Sequence, residues 1–213
     1  MESRTQQIRA RGNKHVKIQV IPGHFATNHS HVNYYVDMTD IKNSHMMARD
    51  AAAELAKAYA ATTMVDTIIC MEGTEMIGAF LAEILARNGG VNVNEGQNIC
   101  VVTPELNSNN QMIFRDNMQR MIWDKRILLL VASASTGKTL NRLVECLQYY
   151  NGRLVGMAAI FSAIPKLGEL PLVSIFGVED IPDYRTSPVT DCALCGEKRK
   201  IDAIVNSYGY SKI

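Results

Sequence analysis

One segment, residues 127–147, combines a buried strand, a small-residue loop and an amphipathic helix. Five consecutive apolar residues, Ile127–Val131, are typical of a strand that is buried on both faces of a sheet. Ser135-Thr136-Gly137 then permit a tight turn, and apolar residues recur at helical spacing from Leu140 to Leu147. A strand that leads through such a loop into a helix predicts an α/β fold, and backbone N–H groups at the helix N-terminus could bind a phosphate.

The rest of the chain repeats this alternation of strands and helices. Val65–Met71 and Ile99–Val102 predict short buried strands, and the residues from Met76 to Arg87 predict a helix that stops at Asn88-Gly89-Gly90. The other predicted elements are a strand over Val16–Ile21 that ends at Pro22-Gly23, a strand or hairpin within 24–37, a helix from Ser44 to Tyr59, and strands over Leu154–Ala163 and Leu172–Phe176. Such alternation implies a mainly parallel sheet that is covered by helices on both faces.

Composition and charge indicate an ordinary globular protein. The 213 residues include 22 basic and 21 acidic side chains, a net charge of +1, so nothing calls for a nucleic-acid partner. No apolar run approaches the roughly 20 residues needed to cross a bilayer, and the first residues lack the apolar centre of a signal peptide. We therefore predict a single domain over residues 1–213, in a cytoplasmic protein with no membrane partner.

The five cysteines, an odd number, do not form a disulfide framework of the kind found in small secreted domains. Three are predicted to be buried thiols in apolar or amphipathic segments: Cys70, Cys100 and Cys146. Cys192 and Cys195 form a C-x-x-C pair that could supply half of a Zn²⁺ shell, cycle between redox states or serve only as a structural pair. A separate metal site is a further hypothesis for His24, His29 and His31.

The small-residue loop admits two interpretations. In the first it is the P-loop of a nucleotidase, since G-x-x-x-x-G-K-[ST] is matched from Ala132 to Thr139 except that Ala132 replaces the first glycine. A Mg²⁺-binding carboxylate would then be Glu72 or Glu179. Such loops usually lie near the start of their domain, whereas more than half of this chain precedes Ala132.

In the second interpretation the segment resembles the motif with which type I phosphoribosyltransferases bind phosphoribosyl pyrophosphate (PRPP). That motif has four apolar residues, two acidic residues, two apolar residues and then D/T-[ST]-G-x-T. Its second half resembles Ser135-Thr136-Gly137-Lys138-Thr139, and the resemblance implies that these residues bind the 5′-phosphate of the ribose. Val131 and Ala132 stand at the positions of the acidic pair, which holds the ribose hydroxyls in the family.

The segment Gly23–Asp37 resembles the opening of the orotate branch of that family. The resemblance implies a small hood, over about residues 15–45, that contacts the base. The residues that it implicates are Phe25, His29, His31 and Tyr35.

Three later segments also resemble that branch, in the same order along the chain. Glu72–Ala82 resembles a loop that meets pyrophosphate, and the resemblance implicates Glu72, Gly73, Thr74 and Glu75. The polar stretch 103–125 falls where the family has a flexible catalytic loop, and its candidate cations are Arg115, Arg120, Lys125 and Arg126. Asp183–Gly196 resembles a tail that ends in C-P-L-C-x-x-G and contains Cys192 and Cys195 as candidate metal ligands.

Together these segments imply the type I phosphoribosyltransferase fold, a mainly parallel sheet flanked by helices, with an N-terminal hood and a C-terminal tail over about 180–213. The implied activity is transfer of phosphoribosyl from Mg²⁺-PRPP to a pyrimidine-type base such as orotate, with release of pyrophosphate, by a homodimer. The competing hypothesis is a non-catalytic protein of the same fold that senses a nucleotide or a sugar phosphate. No catalytic residue is assigned at this level.

Overall fold

The computed structural model describes residues 2–88, 90–107 and 111–213. Its central sheet has the strand order β10-β11-β9-β8-β4-β5. The ranges are β4 Thr67–Cys70, β5 Cys100–Val102, β8 Arg126–Ala134, β9 Arg153–Ser162, β10 Lys166–Leu167 and β11 Leu170–Gly177. All neighbours pair in parallel except β10, which pairs with β11 antiparallel. The predicted parallel sheet is therefore confirmed.

The helices of the described chain are α1 Thr39–Asn43, α2 His45–Tyr59, α3 Glu75–Ala86, α4 Asp116–Gln119, α5 Lys138–Tyr149 and α6 Ala193–Gly196. Of these, α2 and α3 cover one face of the central sheet and α5 covers the other. Along β8, Leu128 and Leu130 pack into the core that contains α2 and α3, whereas Leu129 and Val131 pack into the core that contains α5. Successive strand residues point to opposite faces, so a strand covered on both sides must be apolar throughout. This explains the uninterrupted apolar run.

A second sheet contains both ends of the chain. Its order is β12-β3-β2-β13-β14, with β1 paired to β2. The ranges are β1 Gln6–Arg9, β2 Lys17–Ala26, β3 His31–Asp37, β12 Thr186–Ser187, β13 Ala203–Asn206 and β14 Gly209–Lys212. The predicted hairpin within 24–37 forms from β2 and β3. The sheet also takes in tail strands that periodicity did not predict, because each is only two to four residues long.

The predicted end of the first strand at Pro22-Gly23 is wrong. β2 continues to Ala26, with a shift of its register against β3 between Pro22 and Phe25. A Cβ at Gly23 would lie 2.5 Å from the Asp202 carboxylate, so glycine here permits a close approach of the tail to the strand. The dipeptide therefore marks a bulge within the strand and not a turn.

A shared hydrophobic cluster joins the two sheets. Val16, Ile18 and Val20 of the second sheet region belong to the same buried cluster as Ile68 and Leu130 of the central sheet. α2 begins one residue after Ser44, as predicted. α3 ends at Ala86, close to the predicted stop at residues 88–90. Of these three residues, Gly89 lies outside the described residues. Within the described ranges, every helix is too short or too polar to cross a bilayer.

Candidate functional site

The small-residue loop lies at the carboxyl end of β8, where the strand turns into α5. Ser135 and Thr136 follow the strand, and Gly137 has a φ of +72°, a conformation that favours glycine. A Cβ at Gly137 would also lie 3.0 Å from side-chain carbons of Ile164 and Leu167. The turn leads directly into α5, whose first N–H groups and positive dipole end favour an anion.

The residues predicted to bind phosphate all line one cavity of about 220 Å³: Ser135, Thr136, Gly137, Lys138 and Thr139. Further lining comes from the β2–β3 turn, β3 and the turn after β13. Phe161 and Tyr184 add an aromatic pair whose ring centroids are 5.1 Å apart. The Tyr184 hydroxyl lies 3.4 Å from the Ser135 hydroxyl, so an aromatic wall adjoins residues 135–139, which are called the phosphate loop below after their predicted ligand.

Among the described residues that line this cavity, Glu72 is the only acidic one. β4 and β8 are neighbours, so the turn after β4 lies beside Ser133, whose backbone N–H donates to the Glu72 carboxylate at 3.3 Å. Burial raises the pKa of Glu72, while the Ser133 N–H and the nearby Lys42 act in the opposite direction. Glu72 itself has a φ of +63°, which is uncommon for a residue other than glycine and favours a functional role.

Lys42 connects the Glu72 turn to the C-terminal hairpin. Its Nζ donates to the backbone oxygen of Glu72 at 3.0 Å and to the backbone oxygen of Ser207. Only 8% of Lys42 is exposed, and burial lowers its pKa although neighbouring carboxylates oppose the shift. A lysine in a short polar helix has the pattern of a surface residue, so the sequence did not indicate this role.

Of the four residues implicated in base binding, His29 and Tyr35 line the cavity. Phe25 and His31 lie outside the lining. Phe25 is fully buried in the core of the second sheet, and the His31 ring instead faces His24, with Nδ1 3.1 Å from the His24 Nε2. Contact with a base therefore stays a prediction for His29 and Tyr35.

Of the four residues implicated in pyrophosphate binding, Glu72 alone lines the cavity. Thr74 is fully buried, and its hydroxyl donates to the backbone oxygen of Met71 at 2.9 Å. Glu75 begins α3 and accepts a hydrogen bond from the Thr103 hydroxyl at 3.0 Å. Gly73 has a φ of +81°, so it serves the turn.

The positions of the missing acidic pair lie within β8. Val131 and Ala132 are fully buried on opposite faces of the sheet, and the strand continues to Ala134, which pairs with Ser162. The nucleotidase interpretation needs a loop that starts at Ala132, and that residue lies inside a paired strand. This geometry disfavours the nucleotidase interpretation.

The stretch 103–125, which by resemblance falls at a flexible catalytic loop, is in part folded onto the core. Its short strands are β6 Glu105–Leu106 and β7 Met112–Ile113, and Phe114 and Ile122 are buried. Arg115 makes two hydrogen bonds of 2.6 and 2.7 Å to the Glu105 carboxylate. Residues 108–110 lie outside the described residues, and nothing in the described part of the stretch lines the cavity.

A cluster of four histidine and cysteine side chains that could hold a metal ion lies in the second sheet region, outside the cavity lining. His24, His31, Cys192 and Cys195 each offer one ligand atom, and these atoms lie within 4.8 Å of one another. The structure thus brings together the predicted C-x-x-C pair and two of the three predicted histidines, whereas His29 lines the cavity. Burial and the neighbouring His24 lower the pKa of His31.

The sequence did not indicate the contribution of the tail to the cavity. Tyr184, Val205, Asn206 and Ser207 line it, and β13 reaches this position through parallel pairing with the end of β2. No local pattern reports such a pairing, because it joins residues nearly 180 positions apart.

Comparisons with known proteins show the same fold in solved structures. The orotate phosphoribosyltransferase of Mycobacterium tuberculosis H37Rv has a TM-score of 0.52 and 18% identity, over 76% of this chain and 90% of that chain. UMP synthase of Leishmania donovani has a TM-score of 0.55 and 16% identity, over 75% of this chain and 34% of that chain. Adenine phosphoribosyltransferase of Leishmania tarentolae has a TM-score of 0.52 and 12% identity, over 71% and 80%. No protein-family model and no curated protein matches the sequence.

Proposed function

Because the chain has the type I phosphoribosyltransferase fold, we propose that it binds PRPP and transfers the phosphoribosyl group to a pyrimidine-type base, with release of pyrophosphate. The observation that carries this proposal is the shared cavity of the phosphate loop, Glu72 and the aromatic wall. In the reaction a ring nitrogen of the base forms a bond to C1 of the ribose, and the bond from C1 to the pyrophosphate oxygen breaks.

The phosphate loop is proposed to hold the 5′-phosphate. The backbone N–H groups at the start of α5 and the hydroxyls of Ser135, Thr136 and Thr139 supply donors on one side of the cavity. Among the described residues that line the cavity, Lys138 is the only lysine or arginine, and it adds a positive charge. An anchored phosphate would fix the ribose so that C1 points toward the aromatic wall, and such positioning is a large part of catalysis in reactions of this kind.

Glu72 is proposed to accept the ribose hydroxyls in place of the absent acidic pair. It lies in the turn after the neighbouring strand β4, yet its carboxylate accepts the N–H of Ser133, the residue directly after positions 131 and 132. A carboxylate has two oxygens with about four acceptor sites, so one bond to Ser133 leaves capacity for hydroxyl groups.

The donor set also fits a Mg²⁺ ion that enters with the substrate. Mg²⁺ is usually held by one or two carboxylates together with substrate phosphates and water, and Glu72 supplies one carboxylate. When bound, the ion would neutralise charge on the pyrophosphate group.

The base is proposed to lie against the aromatic wall. Tyr184 offers a ring surface that is backed by the buried Phe161, and His29 and Tyr35 line the same cavity. A pyrimidine is a flat ring with polar edges, which matches an apolar wall with a few polar groups.

A second candidate function is a sensor that binds the phosphorylated ligand without transferring it. One observation favours it: the described lining holds Lys138 but no second lysine or arginine for the leaving pyrophosphate. Charge stabilisation of the leaving group is usually a large component of such catalysis.

Titration calorimetry with PRPP and Mg²⁺, followed by orotate, uracil or adenine, tests the proposal. Release of pyrophosphate and formation of a nucleoside 5′-monophosphate with a pyrimidine would support transfer. Binding of PRPP without product from any base would favour the sensor. A failure of PRPP, ribose 5-phosphate and nucleoside 5′-monophosphates to bind would contradict both candidates.

A matched pair of variants locates the binding in the cavity. Thr139→Val removes the hydroxyl at nearly constant shape, whereas Thr139→Ser retains it. We expect Thr139→Val to weaken PRPP binding about tenfold, in line with the loss of a hydrogen bond to a charged group, and Thr139→Ser to bind like the parent protein. Equal affinity of all three proteins would place the phosphate elsewhere.

A further inference from the structure

Two β-strands and the C-terminal tail converge on one point of the hood. His24 comes from β2 and His31 from β3, while Cys192 precedes α6 and Cys195 lies within it. The His24 Nε2 is 3.1 Å from the His31 Nδ1, 3.5 Å from the Cys192 Sγ and 3.6 Å from the Cys195 Sγ. The Cys195 Sγ is 3.3 Å from the His31 Nδ1.

These separations match the edges of a zinc coordination tetrahedron. With Zn–N of about 2.0–2.1 Å and Zn–S of about 2.3 Å, tetrahedral angles place two nitrogens about 3.4 Å apart and a nitrogen and a sulfur about 3.6 Å apart. All four distances given above lie close to these values. The two remaining edges, Cys192 to Cys195 and Cys192 to His31, are at most 4.8 Å long, so the four ligand atoms lie close enough together to share one ion.

The ring of His24 is already oriented for such a role. Its Nδ1 lies 2.9 Å from the backbone oxygen of Arg199, which can only accept a hydrogen bond, so Nδ1 carries the proton. In a neutral ring, Nε2 then presents its lone pair toward His31 and the two thiols. Metal-binding histidines usually donate their second ring N–H in this way, and the bond fixes both tautomer and orientation.

Burial and charge are also compatible with a metal. His24, His31 and Cys192 are at most 9% exposed, whereas Cys195 is exposed and leaves a path for the ion. Two thiolates neutralise the two positive charges of Zn²⁺, so the filled centre carries no net charge into the protein interior. Without a metal, the site would bring two imidazoles and two thiols together with few good donors among them.

We propose that His24, His31, Cys192 and Cys195 bind one structural zinc ion. A Cys₂His₂ set fills all four positions of a tetrahedral zinc, so no position stays open for substrate or water. The ion would join the β2–β3 hairpin to the tail that leads into β13. Residues 27–30, between the two histidines, line the cavity, so the ion would also hold one part of the cavity wall. This proposal does not depend on the transferase activity.

Metal analysis of protein that is purified without chelators tests the proposal. We expect about one zinc ion per chain in the parent protein and in Cys146→Ser, which changes a half-buried cysteine outside the cluster. We expect less than about a tenth of that content in Cys195→Ser, in which an exposed ligand is replaced and the core is left intact.

Cobalt substitution reports the ligand set directly. Co²⁺ in the parent protein should show thiolate charge-transfer bands and the intense visible bands of tetrahedral coordination, and Cys195→Ser should lose them. X-ray absorption of the zinc protein should fit two sulfurs at about 2.3 Å and two nitrogens at about 2.0 Å. Metal-free protein that fails to take up zinc or cobalt would overturn the proposal, as would a Cys192–Cys195 disulfide in protein isolated under anaerobic conditions.

Discussion

Among single residues, Glu72 allows the most specific prediction about function. Glu72→Gln retains the size of the side chain and an acceptor for Ser133, but removes the charge. We expect PRPP affinity to fall at least about tenfold, because hydrogen bonds to a charged acceptor contribute about 1.5–3 kcal/mol each. Calorimetry measures the change, and Glu75→Gln is the matched control because Glu75 lies outside the cavity lining. Equal losses in both variants would contradict a specific role for Glu72.

The same substitution should stabilise the fold, with a defined dependence on pH. Burial raises the pKa of Glu72, so the folded protein holds this proton at pH values where the unfolded chain has released it. Stability therefore falls as pH rises through the raised pKa. Urea unfolding should show Glu72→Gln more stable than the parent at pH 7, with a smaller difference at pH 4. A constant difference at both pH values would show that charge burial is not the cause.

Gly137 is a second residue at which the effect of a substitution on ligand binding can be separated from its effect on stability. Gly137→Ala forces a side chain into a φ of +72° and against Ile164 and Leu167, so the phosphate loop must change shape. Gly168→Ala has a similar φ of +58° but no neighbour within 4 Å of the added Cβ. We expect both variants to lose about 1 kcal/mol of stability or more, and only Gly137→Ala to lose PRPP binding. Retained binding in Gly137→Ala would refute the assignment of the loop.

At the scale of elements, the two ends of the central sheet have different tasks. Glu72 and the phosphate loop follow the carboxyl ends of β4 and β8, whereas Asp66 and Arg126 join the opposite ends of the same strands through hydrogen bonds of 2.6 and 2.9 Å. The arginine holds the pKa of Asp66 at about 2, well below its usual 3.8. The lowered pKa means that this carboxylate stabilises the fold above about pH 4, and that its contribution is lost as pH falls toward 2.

Asp66→Asn should therefore separate stability from function. We expect it to cost about 1–2 kcal/mol at pH 7, less than a fully buried pair because both side chains are partly exposed, and little near pH 2. Urea unfolding at several pH values measures this loss, and Asp124→Asn, at the more exposed pair with Arg153, is the comparison. PRPP affinity should be unchanged in Asp66→Asn. A large loss of affinity would mean that this end of the sheet also shapes the cavity.

Helices and strands were predictable from sequence where a local pattern of residues was enough to determine the structure. The apolar run at Ile127–Val131 indicates a buried strand and the small residues up to Gly137 a tight turn, and β8, the loop and α5 follow from these local signals. The bulge at Pro22-Gly23 and the strands β12 to β14 were not predicted, because long-range pairing overrides turn propensity there. Lys42 and the tail lining of the cavity were missed for the same reason, since only the assembled fold brings them to the site.

At the scale of the whole molecule, the two sheets cooperate at the cavity. The central sheet supplies the phosphate loop and Glu72, and the second sheet supplies the hood and the tail. The proposed zinc ion lies in the second sheet region and would fix residues 27–30 from both sides. If these residues contact the ligand, zinc orders them before the ligand arrives. Ligand binding then costs less conformational entropy.

Zinc and PRPP should then bind with positive coupling. Any such coupling is reciprocal: zinc must raise the affinity for PRPP by the same factor by which PRPP raises the affinity for zinc. Coupling free energies of about 1–3 kcal/mol are typical. Calorimetry of zinc-loaded and zinc-free protein gives the first factor, and competition with a chelator in the presence and absence of PRPP gives the second. Cys195→Ser should bind PRPP like the zinc-free protein, and Cys146→Ser like the loaded one. Equal PRPP affinity in both forms would show that the ion stabilises the hood without acting on the cavity.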